Sequence, residues 1–117
     1  MRWQFGIDRV NHQQILEQIF SISASMLGSY VKYAISRTSY VGNDGYYGAL
    51  YPEHLDAEDI EDGVVIPEGQ MLITYWDNDI CTVLMNEVDY LAGFKAYLVS
   101  KQRDDLIECL MEAYPCL

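Results

Sequence analysis

The apolar residues of this chain change period twice, and the changes divide it into three parts. From Asn11 to Arg37, Leu16, Ile19, Phe20, Met26, Leu27, Tyr30, Val31 and Ala34 recur at intervals of three and four, with Ser23 in the gap. That spacing lines one face of a 3.6-residue helix, so a long N-terminal helix is expected over 11–37. Asn11 is placed to cap it, with Gln14 in the capping-box position three residues on. Gly28 inside the pattern marks a close contact or a bend. Before this helix, residues 2–7 (RWQFGI) suit a short strand or a packed arm, with Trp3 and Phe5 on one face.

The middle of the chain has a period nearer two. Met71–Trp76 and Ile80–Met85 are rich in β-favouring residues and are separated by Asp77-Asn78-Asp79, all turn formers, which predicts an antiparallel hairpin. Apolar residues fall on both faces of both runs, so something is expected to cover each side of the sheet. Upstream, Asn43-Asp44-Gly45 reads as a second hairpin turn or as an irregular tyrosine-lined loop. Residues 53–59 suit one or two helical turns after Pro52, and 63–67 a short extended piece limited to an edge by Pro67. The C-terminal third returns to helical spacing. Val88, Leu91, Phe94 and Leu98 form one face, capped by Asn86 or Asp89. Leu106, Cys109, Leu110 and Ala113 form another, starting at Asp104-Asp105 and ending before Pro115. Helix, strands, then helices predict one α+β domain over 1–117, its N-terminal and C-terminal helices packed on a small antiparallel sheet.

Charge adds what periodicity does not. The 117 residues carry a formal net charge of −11, from eighteen acidic and seven basic side chains. Between Arg37 and Lys95 there is no lysine or arginine, yet twelve of the eighteen acids lie there. Seven of them fall in Pro52–Gly69: Glu53, Asp56, Glu58, Asp59, Glu61, Asp62 and Glu68. Half the residues are hydrophobic and ten are tyrosines, too apolar a mix for a disordered acidic tail. A field of this sign repels phosphate, so neither direct nucleic-acid binding nor an anionic membrane surface is expected. The run 15–35 is interrupted by Glu17, Gln18, Ser21, Ser23 and Lys32, so no membrane span is expected. No signal peptide opens the chain, and a cytoplasmic location follows as the expectation.

The residues for chemistry are sparse. His12 is expected on the surface at a helix start, and His54 lies among carboxylates. No nucleophile, base and orienter set is visible, so no enzymatic activity is expected. Cys81, Cys109 and Cys116 make no paired framework, and two of them are expected to be buried or half-buried. An EF-hand loop phased on Gly63 would start at Glu58, but puts Ile60 at its third position and Gly69 where the glutamate belongs, so no dedicated metal site is expected. No phosphate-cradling glycine motif is present, and no cofactor is expected.

Recognition of a basic protein remains. Asp56, Glu58, Asp59, Glu61 and Asp62, joined by Asp77 and Asp79, offer steering carboxylates. Tyr46, Tyr47 and Tyr51, with Trp76, offer aromatic anchors, or the three tyrosines pack under the acidic loop as minor core. With EHLDAEDIEDG as its acidic face and SYVGNDGYYGALY as its aromatic one, the chain resembles in overall character the immunity proteins of bacterial contact-dependent growth inhibition and other polymorphic toxin systems. The resemblance implies an inhibitor that binds one cognate basic toxin domain, often a nuclease. Two alternatives stand beside it. A nucleic-acid mimic would set its carboxylates at phosphate-like intervals, and an adaptor or structural subunit would expose an apolar surface.

Overall fold

The computed structural model describes residues 3–5, 9–22, 24–42 and 47–117. Five strands, β1 (Trp3–Phe5), β2 (Tyr40–Gly42), β3 (Tyr47–Leu50), β4 (Gln70–Trp76) and β5 (Ile80–Asn86), form one sheet in the order β1-β5-β4-β3-β2. Strands β2 to β5 are antiparallel to their neighbours, and β1 joins the far edge parallel to β5. The central hairpin runs from Gln70 opposite Asn86 to Trp76 opposite Ile80, and Asn78 in its turn adopts φ +60°. Strands β2 and β3 also pair as a hairpin, but its turn, with Asn43-Asp44-Gly45 and Tyr46, lies outside the described residues.

Two findings correct the expected helices. The N-terminal helix is not continuous. Helix α1 (Arg9–Ile22) is followed by a 3-10 turn (Ala24–Met26) and then α2 (Leu27–Ser36). Beside the junction Ser21 Oγ donates to the Tyr97 hydroxyl at 3.4 Å, and serine is a weaker helix former than alanine or leucine. Helix α1 starts at Arg9, so Asn11 lies inside it and not at its cap. Nothing lies within 4 Å of a Cβ built on Gly28, so that glycine serves no close contact. In the C-terminal third, α4 (Glu87–Ser100) and α5 (Asp104–Ala113) are present, and Leu91, Phe94 and Leu98 of α4 face the core as expected, while one expected member of that face does not. Val88 is 69% exposed, whereas Tyr90 and Tyr97 are buried. On α5 the inward side is Leu106, Ile107 and Leu110, leaving Cys109 exposed, so only Cys81 of the three thiols is buried.

All four long helices contribute to a single core on one face of the sheet. Met71, Ile73 and Tyr75 from β4, Cys81, Val83 and Met85 from β5, and Tyr47 and Ala49 from β3 point into it. They meet Ile15, Leu16, Ile19 and Phe20 from α1, Tyr30 and Val31 from α2, Phe94 and Leu98 from α4, and Leu110 from α5. Phe20 stacks on Phe94 with centroids 4.3 Å apart. Gly93 makes that approach possible, because a Cβ there would lie 2.5 Å from Leu16 Cδ1. His12 is buried at 5% exposure, correcting its expected surface position. The radius of gyration, 13.7 Å, matches the roughly 13 Å of one compact domain of this length. No helix among the described residues is long and apolar enough to cross a membrane.

The opposite face carries the even-numbered positions. Leu50, Leu72 and Leu84 lie in cross-strand register and form a second, smaller core with Leu55, Val64 and Ile66. The acidic stretch is therefore the second cover of the sheet. Three of its interspersed apolar residues, Leu55, Val64 and Ile66, seal strands on which apolar residues point both ways. The expected strand at 63–67 is absent from the sheet, and Ile66 instead packs down onto Leu72 and Leu84.

Candidate functional site: an acidic cover beside an exposed sheet strip

The cover is shaped by its own carboxylates. A 3-10 turn (Pro52–His54) leads into the short helix α3 (Ala57–Glu61). The Asp59 amide donates to Asp56 Oδ1 at 2.8 Å, and the Asp56 amide donates to Asp59 Oδ2 at 3.2 Å, a reciprocal capping box. The helix ends as Gly63 donates to the Ile60 carbonyl and Val64 to the Asp59 carbonyl. Gly63 has φ +82°, the left-handed conformation that this ending requires and that glycine adopts without strain. That turn drops Val64 onto the small core. Two of the seven carboxylates thus hold the cover's own helix, while Glu58, Glu61 and Asp62 stand exposed with no role in it.

One cation clamps the cover to the helices. Arg37 ends α2 in the left-handed conformation (φ +51°), with Thr38 donating to the Tyr33 carbonyl at 2.8 Å. Its Nε donates to Glu87 Oε1 at 2.9 Å and its Nη2 to Glu87 Oε2 at 3.2 Å, a two-pronged pair at the start of α4. Its Nη1 reaches Glu53 in the cover, and its guanidinium lies 4.8 Å from the Tyr51 ring centre. The hydrogen bond that Arg37 donates to Glu87 leads the influences that raise the Arg37 pKa and hold it charged. Ser39 adds a second tie, its Oγ 2.7 Å from His54 Nδ1 and accepting the Tyr51 amide at 2.9 Å.

The expected site residues separate into two groups. Asp56, Glu58, Asp59, Glu61 and Asp62 are gathered on α3 and its caps. Asp77 and Asp79 are exposed on the β4–β5 turn, where Asp79 Oδ1 accepts the Ile80 amide at 2.8 Å. Four residues separate Trp76 from the covered Leu72, which sets the turn about 13 Å farther along the strand. The tyrosines are a correction. Tyr47 and Tyr51 are 4% and 1% exposed, inside the main core, and no partner reaches them there. Burial raises the Tyr51 hydroxyl well above the usual tyrosine pKa, with the Glu87 charge adding to it. Tyr46 lies outside the described residues.

Exposed apolar side chains on the sheet are Val41, Trp76 and Ile80 instead. Register puts Val41, Gly48, Thr74 and Thr82 in one cross-strand row, and Trp76 and Ile80 in the next. Val41 is 78% exposed, Ile80 47% and Trp76 40%. Sequence reasoning found Trp76 but not Val41, Ile80 or the Arg37 clamp. The position of Ile80 directly after a turn was the available signal, since a strand's last pair projects beyond a short cover. Beside Trp76 a cleft of about 420 Å³ opens between the hairpin end and α1, lined by Gln14, Ile15, Gln18, Tyr75, Trp76 and Asp77. No group of three or more histidine, cysteine, aspartate or glutamate side chains that could hold a metal ion occurs among the described residues. Compared with protein-family models, with curated proteins and with solved structures, the chain matches none.

Proposed function

We propose that this chain is an immunity protein that neutralises a cognate basic toxin domain, most simply a nuclease, by binding it and not by catalysis. The observation that carries the reading is a cover whose Glu58, Glu61 and Asp62 carboxylates stand exposed, on a molecule that also exposes aromatic and aliphatic side chains of its sheet. Glu58, Glu61 and Asp62 of the cover and Asp77 and Asp79 of the β4–β5 turn are exposed, as are Val41, Trp76 and Ile80. Exposed carboxylates raise encounter rates with a basic surface, and desolvated apolar anchors set the lifetime of the complex. The clamp supports the same reading, since a steering surface held by Arg37 is presented in one geometry and loses less freedom on binding.

A gene for a large secreted toxin is expected beside this one. The C-terminal domain of such a protein should kill cells when expressed alone and be tolerated when co-expressed with this chain. Toxicity that co-expression does not relieve overturns the proposal. With the purified pair, replacing Glu58, Glu61 and Asp62 by glutamine, glutamine and asparagine slows association and flattens its salt dependence, because charges are screened beyond about 8 Å at physiological salt. An unchanged rate and salt slope reduce the cover to a solvated loop.

A further inference from the structure

The acidic cover is joined to the molecule in a way that lets it move without the sheet. Residues 51–69 connect β3 to β4, strands that are already neighbours, with Leu50 opposite Leu72. Both ends of the connection are pinned. Tyr51 is buried in the main core, and the Gly69 carbonyl accepts the Glu87 amide at 2.9 Å. Between those pins the backbone hydrogen bonds are local. The amides of His54, Leu55, Ile60, Asp62, Gly63 and Val64 all donate to carbonyls within residues 51–60. The cover lends no strand to the sheet, so the pairing of β3 with β4 does not depend on it.

The contacts that hold the cover down are few. Leu55, Val64 and Ile66 pack on Leu50, Leu72 and Leu84, and of the cover's three only Ile66 is fully buried. Its side-chain ties are the Glu53 pair with Arg37, exposed on both sides, and the 2.7 Å contact of His54 Nδ1 with Ser39 Oγ. Arg37 keeps its two hydrogen bonds to the less exposed Glu87 when Glu53 leaves. Segments with few buried apolar contacts and exposed hydrogen bonds open at a lower free energy than core strands.

We infer that residues 52–66 form a strap that lifts as one unit while the sheet and helices stay folded, uncovering the row of Leu50, Leu72 and Leu84. Strand alternation puts Leu72 and Leu84 on the face that also carries Trp76 and Ile80. Lifting the strap therefore extends the exposed apolar part of that face towards the start of β4. The closed form dominates, and the open form is a minor state of the chain alone, independent of any partner.

Buried thiols provide the test. Cys109→Ser and Cys116→Ser remove the two exposed thiols, and a thiol is then introduced on either side of the small core, by Ile66→Cys in the strap or Leu84→Cys in β5. Reaction with a thiol reagent is followed by mass spectrometry across urea concentrations. Native Cys81, in the main core, and the unfolding transition seen by circular dichroism are the references. Both introduced thiols are expected to react about a hundredfold or more faster than Cys81, with a shallower urea dependence than global unfolding, because less surface is exposed. Glu53→Gln and His54→Ala speed both reactions, about twofold and about threefold, and leave Cys81 unchanged. Introduced thiols that react only with the urea slope of global unfolding overturn the strap. Fast reaction after Ile66→Cys, with Leu84→Cys tracking Cys81, overturns it as well, since the segment then frays while the row stays covered. Should neither variant fold, hydrogen exchange of the unaltered chain decides. One opening free energy shared by the Ile60, Asp62, Gly63 and Val64 amides, below that of global unfolding, supports the strap; unequal values, or the global value, overturn it.

Discussion

Replacing Arg37 separates three effects that the structure superimposes on one side chain. Arg37→Ala removes the paired hydrogen bonds to Glu87, the contact with Glu53 and the packing over Tyr51, and keeps a non-glycine residue at φ +51°. The Glu87 side chain is only 17% exposed, so its pair outweighs the others. The charged hydrogen bonds are worth about 1–2 kcal/mol after a discount for the 39% exposure of Arg37. The pair to Glu53, exposed on both sides, contributes about 0–0.5 kcal/mol. The ring contact contributes about 0.5–1 kcal/mol. Arg37→Ala therefore destabilises by about 2–3 kcal/mol. Arg37→Gly loses the same contacts but relieves the left-handed backbone, so it costs about 1 kcal/mol less than alanine. Urea unfolding of both variants, with Glu87→Gln and Glu53→Gln for double-mutant cycles, measures each contribution. The coupling of Arg37 to Glu87 should exceed its coupling to Glu53. A glycine variant less stable than the alanine variant, or a stronger coupling to Glu53, refutes the reasoning.

Two further outcomes follow from the cover and the core. Asp56→Ala removes the side chain that accepts the Asp59 amide, and costs about 1 kcal/mol. Hydrogen exchange at 57–62 reads it directly, and unchanged protection there contradicts the capping role. The chain should also unfold in alkali. Burial, chiefly, raises the Tyr40, Tyr51 and Tyr90 hydroxyls above their ordinary value, and Tyr40 and Tyr90 share a 2.9 Å hydrogen bond. A folded-state pKa above the unfolded one gives stability that is complete below about pH 10 and is lost as pH rises past it. Tyrosinate absorbance should therefore rise together with loss of the near-ultraviolet dichroism. Titration of all ten tyrosines before unfolding would rule the mechanism out.

The parts of the fold that were legible are those in which one physical signal dominates. β-Branched residues around Asp77-Asn78-Asp79 specify the central hairpin, and its two-sided apolar pattern specifies that both faces are covered. The identity of the second cover was hidden, because Leu55, Val64 and Ile66 are scattered among seven carboxylates and charge overwhelms the pattern. The break between α1 and α2 was obscured for a different reason. Phe20 and Leu27 are seven residues apart, a spacing that a continuous helix and an interrupted one both satisfy. Tyrosine is amphipathic, so composition alone does not allocate Tyr47 and Tyr51 between core and interface. The acidic half of the candidate site was visible in the sequence. Its apolar half depends on register, which puts Val41 and the Trp76–Ile80 pair on the uncovered part of one face.

Strand β1 has a consequence for how the molecule comes together. It lies beside β5, with Trp3 opposite Thr82 and Phe5 opposite Leu84, and this pairing closes the longest stretch of chain of any in the sheet. Until the two segments meet, β5 presents an open row of amides and carbonyls next to the apolar side chains of the central hairpin, a template for another chain's strand. Long-range parallel pairing is slow to form, which lengthens that interval. The amino-terminal strand thus acts as a self-supplied guard on a vulnerable edge. A fusion or tag that pulls residues 3–5 out of register would lower the yield of monomer by strand exchange between copies, with little change in the helices or the acidic cover.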